Sequence, residues 1–136
     1  MENWLERTQL LVGEDVIKIF SEFSVAVVGL GGVGAYAAEM LVRSGIGNIL
    51  ILDSDAVSIT NKNRQLLALE STLGHQKSEV MAQRLKDINP QLNLTVIDEY
   101  LTPENVEELL SPHKIDFLVD AIDTLSPKLA LISYCV

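Results

Sequence analysis

Apolar residues recur at helical spacing through the start of the chain (Leu10, Ile17, Phe20), and Gly13 interrupts them, so residues 5–23 predict two short helices. The run Ser24-Val25-Ala26-Val27-Val28 is short, apolar and β-branched, and it meets a cluster of glycines, which predicts a buried strand. A helix over Gly32 to Arg43 follows, its small residues Ala35, Ala37 and Ala38 suited to close packing on a sheet, and Ser44-Gly45-Ile46-Gly47 ends it. Ile49 to Leu52 predicts the second strand. Beyond a polar stretch from Asp53 to Gln65, Met81, Leu85 and Ile88 mark a helix that Asn89-Pro90 stops.

Leu94 to Ile97 predicts a third strand and Asp116 to Val119 a fourth. Between them, Thr102-Pro103-Glu104 offers an N-cap, a proline at the first helical position and an acid in the first turn of a helix running to Leu110. Pro127 opens a last helical pattern that reaches Val136 with no cap or terminating glycine, so the chain reads as a fragment lacking a C-terminal part. Alternation of strands and helices predicts an α/β fold with a doubly wound, mainly parallel sheet and short N-terminal helices. Strand order 3-2-1-4 follows by analogy with such folds. Residues 1–23 form the N-terminal helical segment and residues 24–136 the sheet domain.

The 136 residues, 48% hydrophobic, suffice for one domain with an ordinary core. There is no long apolar run and no basic-then-apolar leader, which predicts a soluble cytoplasmic protein away from membranes. The single cysteine, Cys135, lies among Ile132, Tyr134 and Val136 and reads as a buried, inert thiol. His75 and His113 lack paired ligands at metal spacing and read as surface or capping residues. A formal charge of −9 argues against nucleic acid as a default partner.

Gly29-Leu30-Gly31-Gly32-Val33-Gly34 fits the G-x-G-x-x-G pattern between a predicted strand and a predicted helix. Its glycines let the backbone approach a phosphate, and the helix N-terminus adds free N–H donors. Asp53 ends the second strand 19 positions after Gly34 (53 − 34), near the offset of a carboxylate that holds ribose hydroxyls. This fingerprint alone suits NAD. Asp120 and Asp123 follow the fourth strand, where a carboxylate about 4 Å from a phosphate would cost about 4 kcal/mol at an effective dielectric of about 20 unless a cation intervenes. Magnesium-bound ATP resolves that conflict better than NAD. Asp55, Thr60, Asn61, Asn63, Arg64 and Gln65, with Lys77 further on, then read as a triphosphate clamp built from a guanidinium fork and a mobile ammonium.

The glycine loop, Leu52-Asp53-Ser54-Asp55, Thr60-Asn61-Lys62-Asn63-Arg64-Gln65, Gly74 with Lys77, Ile88-Asn89-Pro90 and Asp120-Ala121-Ile122-Asp123 resemble, in order, the Rossmann-type adenylation domain of the ubiquitin-activating superfamily. The resemblance runs from about Arg7 to the end of the chain. That superfamily includes the bacterial activators of thiamine and molybdopterin sulfur carriers. The Thr-Asn-x-Asn-Arg-Gln motif and the ending Asp-Ala-Ile-Asp-x-x-x-x-Lys-x-x-Leu-Ile-x-Tyr-Cys are most similar to the tRNA threonylcarbamoyladenosine dehydratases. The resemblance implies that Gly31, Asp53, Asn61, Arg64, Lys77 and Asp123 contact ATP or its magnesium, with Asp123 as the metal ligand and Arg64, Lys77 and Asp123 as catalytic groups. It also implies a homodimer in which Arg7 reaches the partner's site. The implied substrate is tRNA, held mostly by the C-terminal part that the fragment lacks; the alternative is a ubiquitin-like sulfur-carrier protein.

Overall fold

In the computed structural model, which describes residues 3–136, the four apolar runs pair as one parallel sheet in the order β3-β2-β1-β4. The strands are β1 (Ser24–Val28), β2 (Asn48–Leu52), β3 (Asn93–Ile97) and β4 (Phe117–Asp120). Six helices accompany them: α1 (Glu6–Val12), α2 (Glu14–Glu22), α3 (Gly34–Arg43), α4 (Lys77–Ile88), α5 (Val106–Leu110) and α6 (Leu125–Cys135). Strand order and the break at Gly13 agree with the sequence reading. Gly13 has φ +91°, a left-handed conformation open to glycine.

The central strands β1 and β2 are buried on both faces, and alternate residues feed two separate cores. Val25, Val27, Ile49 and Ile51 pack with Ala35, Ala38 and Val42 of α3 and Met81 and Leu85 of α4. Ala26, Val28, Leu50 and Leu52 pack on the opposite side with Val106 and Leu110 of α5 and Leu131 of α6. The sheet is therefore covered on both faces, as a doubly wound fold requires. The register is long-range at one edge: Val25 pairs with Ile49 of β2 and also with Phe117 of β4.

The N-terminal helices join the sheet through α2. Phe20 and Phe23 pack against the α3/α4 core, and the Asn48 amide donates to the Phe23 carbonyl at 3.0 Å. Among the described residues, no helix is long and apolar enough to cross a membrane.

Three local expectations are corrected. Helix α3 begins at Gly34 rather than Gly32, because Gly32 and Val33 form a turn of the glycine loop. Helix α5 begins at Val106, and Thr102 is no cap: its own N–H donates to Asn105 Oδ1 at 2.7 Å, while the Asn105 amide holds the Tyr100 carbonyl at 2.8 Å. The polar stretch also contains a short 3-10 helix, Ile59–Asn63, and a second, Glu70–Thr72, follows before α4.

Candidate functional site

All four strands point their carboxyl ends the same way, and the loops leaving them surround a cleft of about 620 Å³. This is where open parallel sheets hold ligands, and the volume suits a small molecule. The glycine loop leaves β1 and forms one wall. Gly29 takes φ +96°, and Gly34 lies so close beneath it that a Cβ on Gly34 would stand 1.6 Å from the Gly29 carbonyl oxygen. Gly29 and Gly34 thus serve the tight approach of strand, loop and helix. Gly31 and Gly32 border the cleft, with Gln65 beside Gly31 and the stem and carbonyl of Arg64 beside Gly32, all at ordinary contact distances.

Asp53, at the end of β2, ties two loops together. One carboxylate oxygen accepts the Leu30 N–H at 2.7 Å and the other the Asp55 N–H at 2.7 Å. Each oxygen keeps a second lone pair for a hydroxyl in the cleft.

The first 3-10 helix delivers the basic clamp. Asn61 is buried, and its Oδ1 accepts the Ser58 N–H at 2.9 Å, which fixes the turn. Arg64 is exposed and lines the cleft; its Nη1 donates to the Asn63 side chain at 2.8 Å and the Thr60 carbonyl at 3.2 Å, and its Nε and Nη2 have no partner among the described residues. Gln65 Oε1 is buried and has no hydrogen-bond donor among the described residues. The Gln65 atom nearest Gly31 is the amide nitrogen rather than this oxygen.

Lys77 opens α4. Its N–H donates to the Asp55 carbonyl at 2.9 Å, and its side chain is only 7% exposed, with Nζ 3.8 Å from Asp55 Oδ2. A buried stem therefore presents one ammonium to the cleft. Asp123 enters from the opposite wall, in the segment after β4. Four acids (Asp53, Asp55, Glu99, Asp123) and two bases (Arg64, Lys77) line the cavity. Among the described residues there is no ready-made cluster of three metal-ligating side chains.

Of the sequence-derived site residues, Gly29, Gly31, Gly32, Asp53, Asp55, Asn61, Arg64, Gln65, Lys77 and Asp123 border this one cleft. Gly34 and Asn63 stand behind it as supports. Asp120 does not border it: Lys128 of α6 donates to Asp120 Oδ2 at 2.7 Å, and Asp120 Oδ1 accepts the Ile122 N–H at 3.4 Å. Arg7 is exposed on α1 and lines no part of the cleft in this single chain. Glu99, Tyr100 and Leu101 were passed over in the sequence and line the cleft from the segment after β3. Their position just beyond a strand's carboxyl end was the available signal. The buried reading of Cys135 does not hold for this chain: the thiol is exposed on the last turn of α6, one residue before the last described position, where Ile132, Tyr134 and Val136 are exposed too.

The ThiF family model matches residues 5–136. The chain is 46% identical over 135 residues to the tRNA threonylcarbamoyladenosine dehydratase of Escherichia coli strain K12, covering 97% of this chain and 50% of that protein. It is 40% identical over 136 residues to the enzyme of the same description from Bacillus subtilis strain 168, covering 100% of this chain and 53% of that one. The crystal structure of the E. coli dehydratase in complex with ATP superposes with a TM-score of 0.93 at 45% identity, over 96% of this chain and 54% of that one. The chain thus spans about half the length of the curated relatives it matches. With the family match running over nearly its whole length and the glycine loop, Asp53 and the basic clamp gathered at one cleft, this chain belongs to the ThiF family.

Proposed function

We propose that this chain is the ATP-binding part of an ATP-dependent dehydratase that cyclises N6-threonylcarbamoyladenosine in tRNA through an acyl-adenylate. The observation that carries the reading is the convergence of Gly31, Asp53, Arg64, Lys77 and Asp123 on one cleft, in a chain 46% identical to such a dehydratase. In this reading the substrate carboxylate attacks the α-phosphate of ATP and pyrophosphate leaves. The activated carbonyl is then captured within the same modification, which closes a ring and expels AMP, with net loss of water from the nucleoside. Asp53 holds the ribose, and the N–H groups of the glycine loop face the phosphates. Lys77 and Arg64 stabilise the charge that gathers as the phosphoanhydride breaks.

The residues present also fit magnesium. The cation is commonly held by one or two carboxylates plus substrate phosphates, so Asp123, with Asp55 opposite, suffices without a cluster of three. When bound, it would neutralise phosphate charge and template the triphosphate. The four acids of the cleft outnumber its two bases, so a polyphosphate without a cation would meet net repulsion. The chain should therefore bind Mg-ATP more tightly than NAD in calorimetric titration. Equal or tighter binding of NAD would sink the nucleotide assignment.

The reading includes a homodimer in which Arg7 enters the partner's site; Arg7 is exposed and makes no ion pair among the described residues. One observation favours a second reading, activation of a ubiquitin-like sulfur carrier: the chain is also 32% identical over 123 residues to the molybdopterin-synthase adenylyltransferase of Escherichia coli strain K12. The two separate on substrate. Pyrophosphate release by the full-length protein should respond to threonylcarbamoyl-modified tRNA, whereas stimulation by a carrier protein alone would favour the second.

A further inference from the structure

A carboxylate is buried well away from the cleft. Glu39, on α3, is 5% exposed and is gripped by two arginines. Arg84 of α4 makes a two-pronged contact, Nε to Oε2 at 2.8 Å and Nη2 to Oε1 at 3.1 Å, and Arg43 Nε reaches Oε1 at 2.9 Å. The hydrogen bond from Arg84, reinforced by that from Arg43, holds the Glu39 carboxyl below the usual carboxylate range despite its burial. Stability alone is a poor reason for such a triad, because the Arg43 and Arg84 side chains are 50% and 40% exposed and solvent screens their attraction for the carboxylate. The planar two-pronged fork instead fixes the relative placement of two elements.

Those two elements carry opposite halves of the phosphate site. Helix α3 begins at Gly34, directly after the loop whose Gly31 and Gly32 face the cleft, and Glu39 lies five positions on. Helix α4 begins at Lys77, and Arg84 lies seven positions on, about 10 Å along a rigid helix. The Lys77 N–H to Asp55 carbonyl bond ties α4 to the loop after β2, but it does not reach α3. Besides apolar packing, the polar tie between α3 and α4 is the Glu39–Arg84 fork.

We propose that Glu39 is a positioning residue that acts through Arg84 and α4 to set the Lys77 ammonium at its working distance from the glycine loop. The proposal rests on the charge-stabilising role given to Lys77 above. Small displacements of a group that stabilises a transition state cost rate more than they cost ground-state binding.

The test is a double-mutant cycle in the full-length protein, read as ATP-dependent pyrophosphate release with threonylcarbamoyl-modified tRNA at a temperature where every variant is folded. Glu39→Gln should lower kcat about tenfold and leave KM for ATP within about twofold. In a Lys77→Met background the same change should cost less than about twofold, since the group being positioned is gone. Arg84→Lys, which keeps the charge and loses the fork, should repeat the pattern and stands in if Glu39→Gln does not fold. Equal losses in both backgrounds, or no loss in either, overturn the positioning role while leaving Lys77 itself in place. Unchanged turnover in Lys77→Met alone removes the charge-stabilising role, and this proposal with it.

Discussion

Replacing Lys77 with methionine should lower pyrophosphate release by the full-length protein about 100-fold, the loss typical of one preorganised donor at a site of developing charge. Methionine is the apt replacement because the side chain is almost wholly buried up to its ammonium, and a truncation to alanine would also open a cavity. The lost partner, Asp55, is 71% exposed and remains solvated, so the cost to folding should be small. A melting temperature close to that of the parent together with a collapsed rate is the expected pair of results. A rate close to the parent's would return Lys77 to the status of a helix-terminal cation with no part in the chemistry.

The second large effect concerns folding. Gly34→Ala should prevent the chain from reaching a stable native state, at a cost of about 4 kcal/mol or more, which is a large share of the 5–15 kcal/mol available to an ordinary domain. A Cβ there would stand 1.6 Å from the Gly29 carbonyl oxygen and 2.7 Å from its carbon, and both are backbone atoms that cannot swing aside. Gly31→Ala is the control. Its Cβ would meet the Gln65 amide nitrogen at 3.5 Å, an ordinary contact, so that variant should melt near the parent while binding nucleotide more weakly. Thermal denaturation followed by circular dichroism distinguishes them, and cooperative, parent-like melting of Gly34→Ala would refute the close-packing role.

The same contrast explains what the sequence could disclose. The central strands were legible because residues buried on both faces leave unbroken apolar runs, Val25 to Val28 and Ile49 to Leu52. The glycine loop was legible as a motif, but its division of labour was not: whether a glycine faces a ligand or a neighbouring backbone depends on loop geometry. Asp120 and Asp123 looked equivalent three positions apart. Only the fold brings Lys128 back over Asp120 and leaves Asp123 at the cleft. Thr102 shows the limit of cap preferences: Asn105, three residues on, competed for the same turn and took the acceptor role.

The long reach between β1 and β4 bears on how the cleft is put together. Val25 lies 24 positions from its β2 partner Ile49 and 92 from its β4 partner Phe117 (49 − 25 and 117 − 25). Closing the longer loop costs about 1 kcal/mol more chain entropy. The β1–β2 pair and the clasp of Asp53 on Leu30 are therefore the cheaper contacts to close, so the nucleotide cradle can form before β4 brings Ala121 to Asp123 to the cleft.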